Sequence, residues 1–122
     1  MTSRPIRFYH RGRVAEVADG HPTRSVLDWL RADPHGRGTK EGCNEGDCGA
    51  CTVVVGSLDG DRLALRPVNA CIQFLPSLDG QALFTVEDVT ALGGDALHPV
   101  QQALVDCHGS QCGFCTPGFV MS

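Results

Sequence analysis

The sequence predicts an α+β fold: a small sheet with one helix laid across it, followed by the first part of an all-helical second unit. Three observations predict this. Short alternating or β-branched runs, bounded by turn residues, recur through residues 1–86. A single apolar helical stripe, Val26, Leu27 and Leu30, interrupts them. After Val86 the strand signals stop, and helix starts at Pro99 and Thr116 replace them. Residues 1–86 and 87–122 are therefore expected to be separate units.

Ile6, Phe8 and His10 alternate with Arg7, Tyr9 and Arg11, the period of a half-buried strand. Gly12 marks a turn, and Val14 to Val17 return as a second strand. Thr23 or Ser25 caps the helix, Trp29 flanks its stripe, and Pro34 and Gly36 end it. Thr52 to Val55 is a β-branched run and predicts a buried strand. Asp59-Gly60 turns the chain, and Leu63 and Leu65 form the returning strand. The stretch from Val68 to Leu75 is too short to assign, and Ala82 to Val86 reads as the last strand. Ala91 to Asp95 reads as a connection. Pro99 opens a helix with Val100, Ala103, Leu104 and Cys107 on one face, and His108-Gly109 closes it. Thr116 as N-cap and Pro117 as first helical residue begin another.

Composition narrows the functions. An apolar fraction of 42% over 122 residues is compatible with a packed core. The net charge is −4 with no basic cluster, which argues against a nucleic-acid partner. No apolar run reaches the roughly 20 residues that span a bilayer. Met1 to Arg7 hold no apolar h-region, so no secretory signal is expected. Seven cysteines, an odd number, then point to a reducing, cytoplasmic setting in which thiols serve metal or redox chemistry.

Those thiols are patterned. Cys43, Cys48 and Cys51 form a C-x4-C-x2-C loop, and Cys71 follows after nineteen residues. This is the plant-type [2Fe–2S] spacing, with three thiolates on one loop and the fourth farther along. Gly42, Gly46 and Gly49 lie between the thiols, where a backbone free of Cβ clashes can turn its N–H groups toward sulfur. A structural zinc site is the main alternative, with Cys48-x2-Cys51 and Cys112-x2-Cys115 as its four thiolates. The loop spacing and the glycines favour iron–sulfur. Cys112-x2-Cys115 also admits a redox dithiol, but a thioredoxin-like motif follows a strand, and here a helix precedes it. Cys107, on the apolar helical face, is expected to be a buried thiol rather than a ligand. Glu45 and Asp47 read equally as tuning groups or as a solvated acidic loop, and Phe114 as a cluster shield or as core.

Longer stretches carry a resemblance. Lys40 to Val53 is similar to the first cluster loop of the molybdenum hydroxylases, and Val68-Asn69-Ala70-Cys71 to the segment with its fourth ligand. His98-Pro99-Val100-Gln101-Gln102 and His108 to Gly118 resemble the second-cluster region. Asn44-Glu45-Gly46-Asp47, with His108-Gly109-Ser110, is most similar to the xanthine dehydrogenase branch.

The resemblance implies a β-grasp ferredoxin domain, then the start of a helical domain, and two [2Fe–2S] clusters relaying electrons from molybdopterin to FAD during purine hydroxylation. Cys43, Cys48, Cys51 and Cys71 would hold the first cluster, and Cys112 and Cys115 would supply part of the second. Gln111 would approach the pterin. The implied partners are a molybdopterin-binding large subunit and an FAD domain. The family's second cluster takes two further cysteines from a downstream C-x-C, and none follows Cys115, so the resemblance implies a piece of a longer subunit. A free plant-type ferredoxin is the rival reading, opposed by the second cysteine loop. Relatives acting on aldehydes, carbon monoxide or N-heterocycles leave the substrate open.

Overall fold

The computed structural model describes residues 4–18, 22–92 and 97–122. Strand β1 (Ile6–His10) and strand β2 (Arg13–Val17) form a hairpin, with Ile6 opposite Val17. Its turn is Arg11-Gly12, where both residues take positive φ. Helix α1 (Val26–Ala32) begins at Ser25, whose side chain accepts the Asp28 N–H at 3.0 Å. Ser25 rather than Thr23 is therefore the N-cap. A short 3-10 turn, Pro34–Gly36, follows.

Strands β3 (Thr52–Asp59) and β4 (Arg62–Asn69) pair antiparallel along their whole length, so each runs well beyond the residues that the β-branched pattern marked. A 3-10 turn at Leu75–Leu78 leads to β5 (Ala82–Phe84). The sheet order is β2-β1-β5-β3-β4. Only the central β1–β5 pair is parallel, so strands distant in sequence meet in the middle of the sheet.

Phe8, Val26, Leu27, Leu30, Val53, Val55, Leu75, Leu78 and Leu83 fill the space between α1 and the sheet. Full burial of such side chains is worth about 2 kcal/mol each relative to exposure. His10, on the same face as Phe8, is buried with its Nδ1 at 3.1 Å from the Leu83 carbonyl and its ring edge-on to Trp29. The other face of the sheet is apolar but open: Tyr9, Leu58, Leu63 and Leu65 are all exposed, and Phe84 lies beside Tyr9.

The sequence expectations need four corrections here. Val86 does not end a strand; it opens helix α2 (Val86–Leu92). Thr85 sets that start, since its N–H donates to the Asp88 carboxylate at 2.7 Å and its hydroxyl to Glu87 at 2.8 Å. The Thr-x-x-Asp pattern is a capping signal that the apolar run from Ala82 to Val86 obscured. The expected connection at Ala91 to Asp95 is thus partly helix, and Gly93, Gly94 and Asp95 lie outside the described residues. Helix α3 (Pro99–Asp106) starts as expected, with His98 as N-cap in a capping box with Gln101. None of its residues is buried, however, and Cys107 is the exposed C-cap rather than a core thiol. Helix α4 (Thr116–Met121) begins one residue early, with Cys115 as N-cap and Pro117 in its second position.

Candidate iron–sulfur site

The first cysteine loop spans the gap between α1 and β3. Its base is closed by the Lys40 N–H donating to the Ala50 carbonyl at 3.1 Å. Inside it the backbone winds around sulfur. The Cys43 Sγ accepts N–H groups from Asp47 at 3.2 Å, Cys48 at 3.3 Å and Glu45 at 3.4 Å. The Cys48 Sγ accepts those of Cys43 at 3.4 Å and Ala50 at 3.5 Å. Positive φ at Asn44, Gly46 and Gly49 makes this winding possible. The glycines and the donors are thus mostly different residues. Gly46 is the exception, since its backbone hydrogen-bonds Cys71. Gly42 supplies room instead: a Cβ there would stand 2.7 Å from the Cys48 Sγ. Glu45 and Asp47 contribute their amides, while their carboxylates sit on exposed residues.

The other two thiols come from the core. Cys51 and Cys71 are both buried among the apolar residues. Ala70 holds Cys71 in place. Its N–H donates to the Cys51 carbonyl at 3.2 Å, and its own carbonyl accepts the Leu27 N–H of α1 at 3.1 Å. Asn69 Nδ2 donates to the Gly46 carbonyl at 3.1 Å, joining the end of β4 to the loop. Neither Asn69 nor Ala70 has a ligand-type side chain; the sequence points to them only as part of the Val68-Asn69-Ala70-Cys71 segment, with no role for either.

These surroundings split the thiols electrostatically. Backbone N–H groups from Cys48, Glu45 and Asp47 lower the Cys43 pKa from 9.0 to about 7. Burial, reinforced by the neighbouring Cys51 thiol, pushes Cys71 up to about 11. Cys43 therefore ionises far more readily than an ordinary thiol, whereas Cys71 needs a bound cation to take its proton's place.

The thiols also act on one another: Cys43 on Cys48, and Cys71 on both Cys51 and Cys43. Among the described residues, no three His, Cys, Asp or Glu side chains gather as for a single metal ion. Four mutually interacting thiols suit a two-iron cluster, in which each iron takes two thiolates, and the ring of inward N–H groups suits its negative charge.

The second cysteine loop lies against the first. Cys107, Cys112 and Cys115 are exposed, as is Gln111 beside them. Ser110 and Thr116 share a hydroxyl hydrogen bond of 2.6 Å across the loop, and Gly113 turns it with a φ of 83°. Phe114 is half-exposed rather than core, and its ring edge would lie 3.3 Å from a Cβ on Gly42. Cys48 and Cys115 line one small cavity of about 170 Å³, together with Gly49, Thr52 and Gly118.

Residues 8–75 match the 2Fe-2S iron-sulfur cluster binding domain, and residues 85–122 match the [2Fe-2S] binding domain. The chain belongs to the [2Fe–2S]-binding family of the molybdenum hydroxylases. It is 44% identical over 117 residues to aldehyde oxidase 4 of Cavia porcellus, covering 94% of this chain and 9% of that protein. To xanthine dehydrogenase of Blastobotrys adeninivorans it is 43% identical over 119 residues, covering 96% and 8%. The chain thus spans less than a tenth of these relatives' length. Among solved structures it is similar to quinoline 2-oxidoreductase from Pseudomonas putida 86, with a TM-score of 0.78 and 31% identity, over 99% of this chain and 68% of that one. Aldehyde oxidoreductase from Desulfovibrio gigas superimposes with a TM-score of 0.80 and 33% identity, over 98% of this chain and 12% of that one. Among the described residues no helix is long and apolar enough to cross a membrane.

Proposed function

We propose that this chain is the electron-relay portion of a xanthine dehydrogenase-like molybdenum hydroxylase, passing electrons from a molybdopterin site toward FAD. The observation that carries the reading is the contact between the two cysteine loops. Cys48 of the first and Cys115 of the second face one cavity, a juxtaposition for which a lone carrier has no use. Cys43, Cys48, Cys51 and Cys71 would hold the first cluster, and Cys112 and Cys115 would contribute to a second whose remaining ligands come from elsewhere. Residues 1–86 and 87–122 are the two corresponding units.

A bound cluster supplies one-electron redox chemistry without a change of ligands. The chain's own residues make this usable. N–H groups aimed at Cys43 and Cys48 offset the charge gained on reduction, and the core around Cys51 and Cys71 excludes water from the other side. The open apolar sheet face, with Tyr9, Leu63 and Leu65, supports packing against further parts of an enzyme, a molybdopterin-binding subunit and an FAD domain being the partners proposed. Gln111, exposed next to Cys112, is available to approach the pterin. Purines are the proposed substrate class. Aldehydes and N-heterocycles are the alternatives, in line with the names of the similar proteins.

The test is metal analysis of the chain. Iron and acid-labile sulfide should be equimolar at one cluster per 122-residue chain, with a rhombic electron paramagnetic resonance (EPR) signal on reduction. Stoichiometric zinc without sulfide would sink the reading.

A further inference from the structure

The two cysteine loops meet at a point where neither offers a side chain. A Cβ built on Gly118 would lie 2.1 Å from the Gly49 carbonyl oxygen and 3.4 Å from the Ala50 Cα. Gly118 is buried, although Phe119 beside it is 70% exposed. Helix α4 therefore presses its bare backbone onto the first loop. The carbonyl that it meets is held in place: Gly49 O accepts the Thr52 hydroxyl at 2.7 Å and the Thr52 N–H at 3.1 Å. Gly49 directly follows Cys48, and Gly118 lies one helical turn after Cys115, whose carbonyl accepts the Phe119 N–H at 3.3 Å. The contact thus joins the backbones beside two thiols that line the same cavity.

We propose that Gly118 is a positioning residue that sets the spacing between the two thiol loops, with the Gly49 carbonyl as the stop against which α4 rests. This rests on the two-cluster reading above. The spacing would set how readily a single electron passes between the clusters that the two loops would hold, one cluster losing and the other gaining one electron, a step that breaks no bond and moves no proton. Even a methyl group at Gly118 forces the loops apart, by roughly 1 Å if an ordinary carbon–oxygen contact is to be restored.

The experiment uses the holoenzyme with both clusters reduced and reads the spin–spin splitting in its EPR spectrum, which falls steeply with separation. Gly118→Ala is expected to weaken the splitting while iron and sulfide content stay at the wild-type level. Thr52→Val removes the hydroxyl bond to Gly49 without adding bulk and is expected to shift the splitting less, in the same direction. It keeps the test alive should Gly118→Ala fail to fold. Wild-type splitting in both variants at full iron content overturns the positioning role. Iron content separates this from the underlying reading: two irons instead of four per two-loop unit of the wild-type holoenzyme overturn the two-cluster assignment. The spacing is then read from a nitroxide on Cys115 relaxed by the first cluster, and unchanged relaxation in Gly118→Ala again overturns the role of Gly118.

Discussion

Asn69 reaches from the end of β4 and donates its side-chain amide to the carbonyl of Gly46, 3.1 Å away, in the middle of the first cysteine loop. Two residues later the same segment delivers Cys71, so one short stretch both anchors the loop and brings up a thiol distant from it in sequence. Asn69→Ala should cost about 1 kcal/mol, the usual net worth of a part-buried hydrogen bond. The loop should also open more readily, so iron loss to a chelator should be faster, followed by the decay of visible absorption. A decay rate equal to wild type would show that the loop holds its shape without Asn69.

Cys71→Ala should abolish the first cluster. The thiol is buried in the core beside Cys51 and lies on a segment tied to both α1 and β3. Loss of metal from such a site also removes folding free energy. The variant should purify without colour and melt at lower temperature, as calorimetry would record. Retention of equimolar iron and sulfide would exclude Cys71 as a ligand.

Cys107→Ala should be close to silent. Cys107 is exposed at the C-cap of α3, and exposed substitutions usually stay within about 0.5 kcal/mol. Iron content and melting temperature should both match wild type. A colourless variant would place Cys107 among the ligands.

Amide exchange should divide the chain. The N–H groups of β3 and β5 belong to a sheet packed on Val53, Val55 and Leu83, whereas α3 buries no residue. The α3 amides should exchange well before those of β3 in the isolated chain. Equal protection would mean that α3 is covered by contacts beyond those seen here.

The spacing of Cys43, Cys48 and Cys51 was legible in the sequence because a two-iron cluster limits how far apart three loop thiolates can stand. So was β1, since Phe8 and His10 face the core while Arg7 and Tyr9 face outward. Helix α1 was equally readable, as Ser25, Val26, Leu27 and Leu30 combine a cap with an apolar stripe. Each of these is a local pattern, carried by residues adjacent in the chain or one turn apart.

What the sequence alone did not decide depends on partners far away. Cys107 occupies an apolar stripe, but a stripe is buried only if something packs on it, and among the described residues nothing buries α3. Val86 continued an apolar run, yet Thr85 and Asp88 capped a helix there. The difference between the thiols arose the same way: Cys43 and Cys71 are chemically identical residues, and only the folded backbone aims N–H groups at one and closes the core over the other. The sequence by itself determined which residues carry ligand-type side chains and at what spacing, because ligand chemistry is a property of side chains and their local order. Only the tertiary structure decided how the two cysteine loops meet, through Gly49 and Gly118, because a contact between bare backbones leaves no side-chain pattern to read.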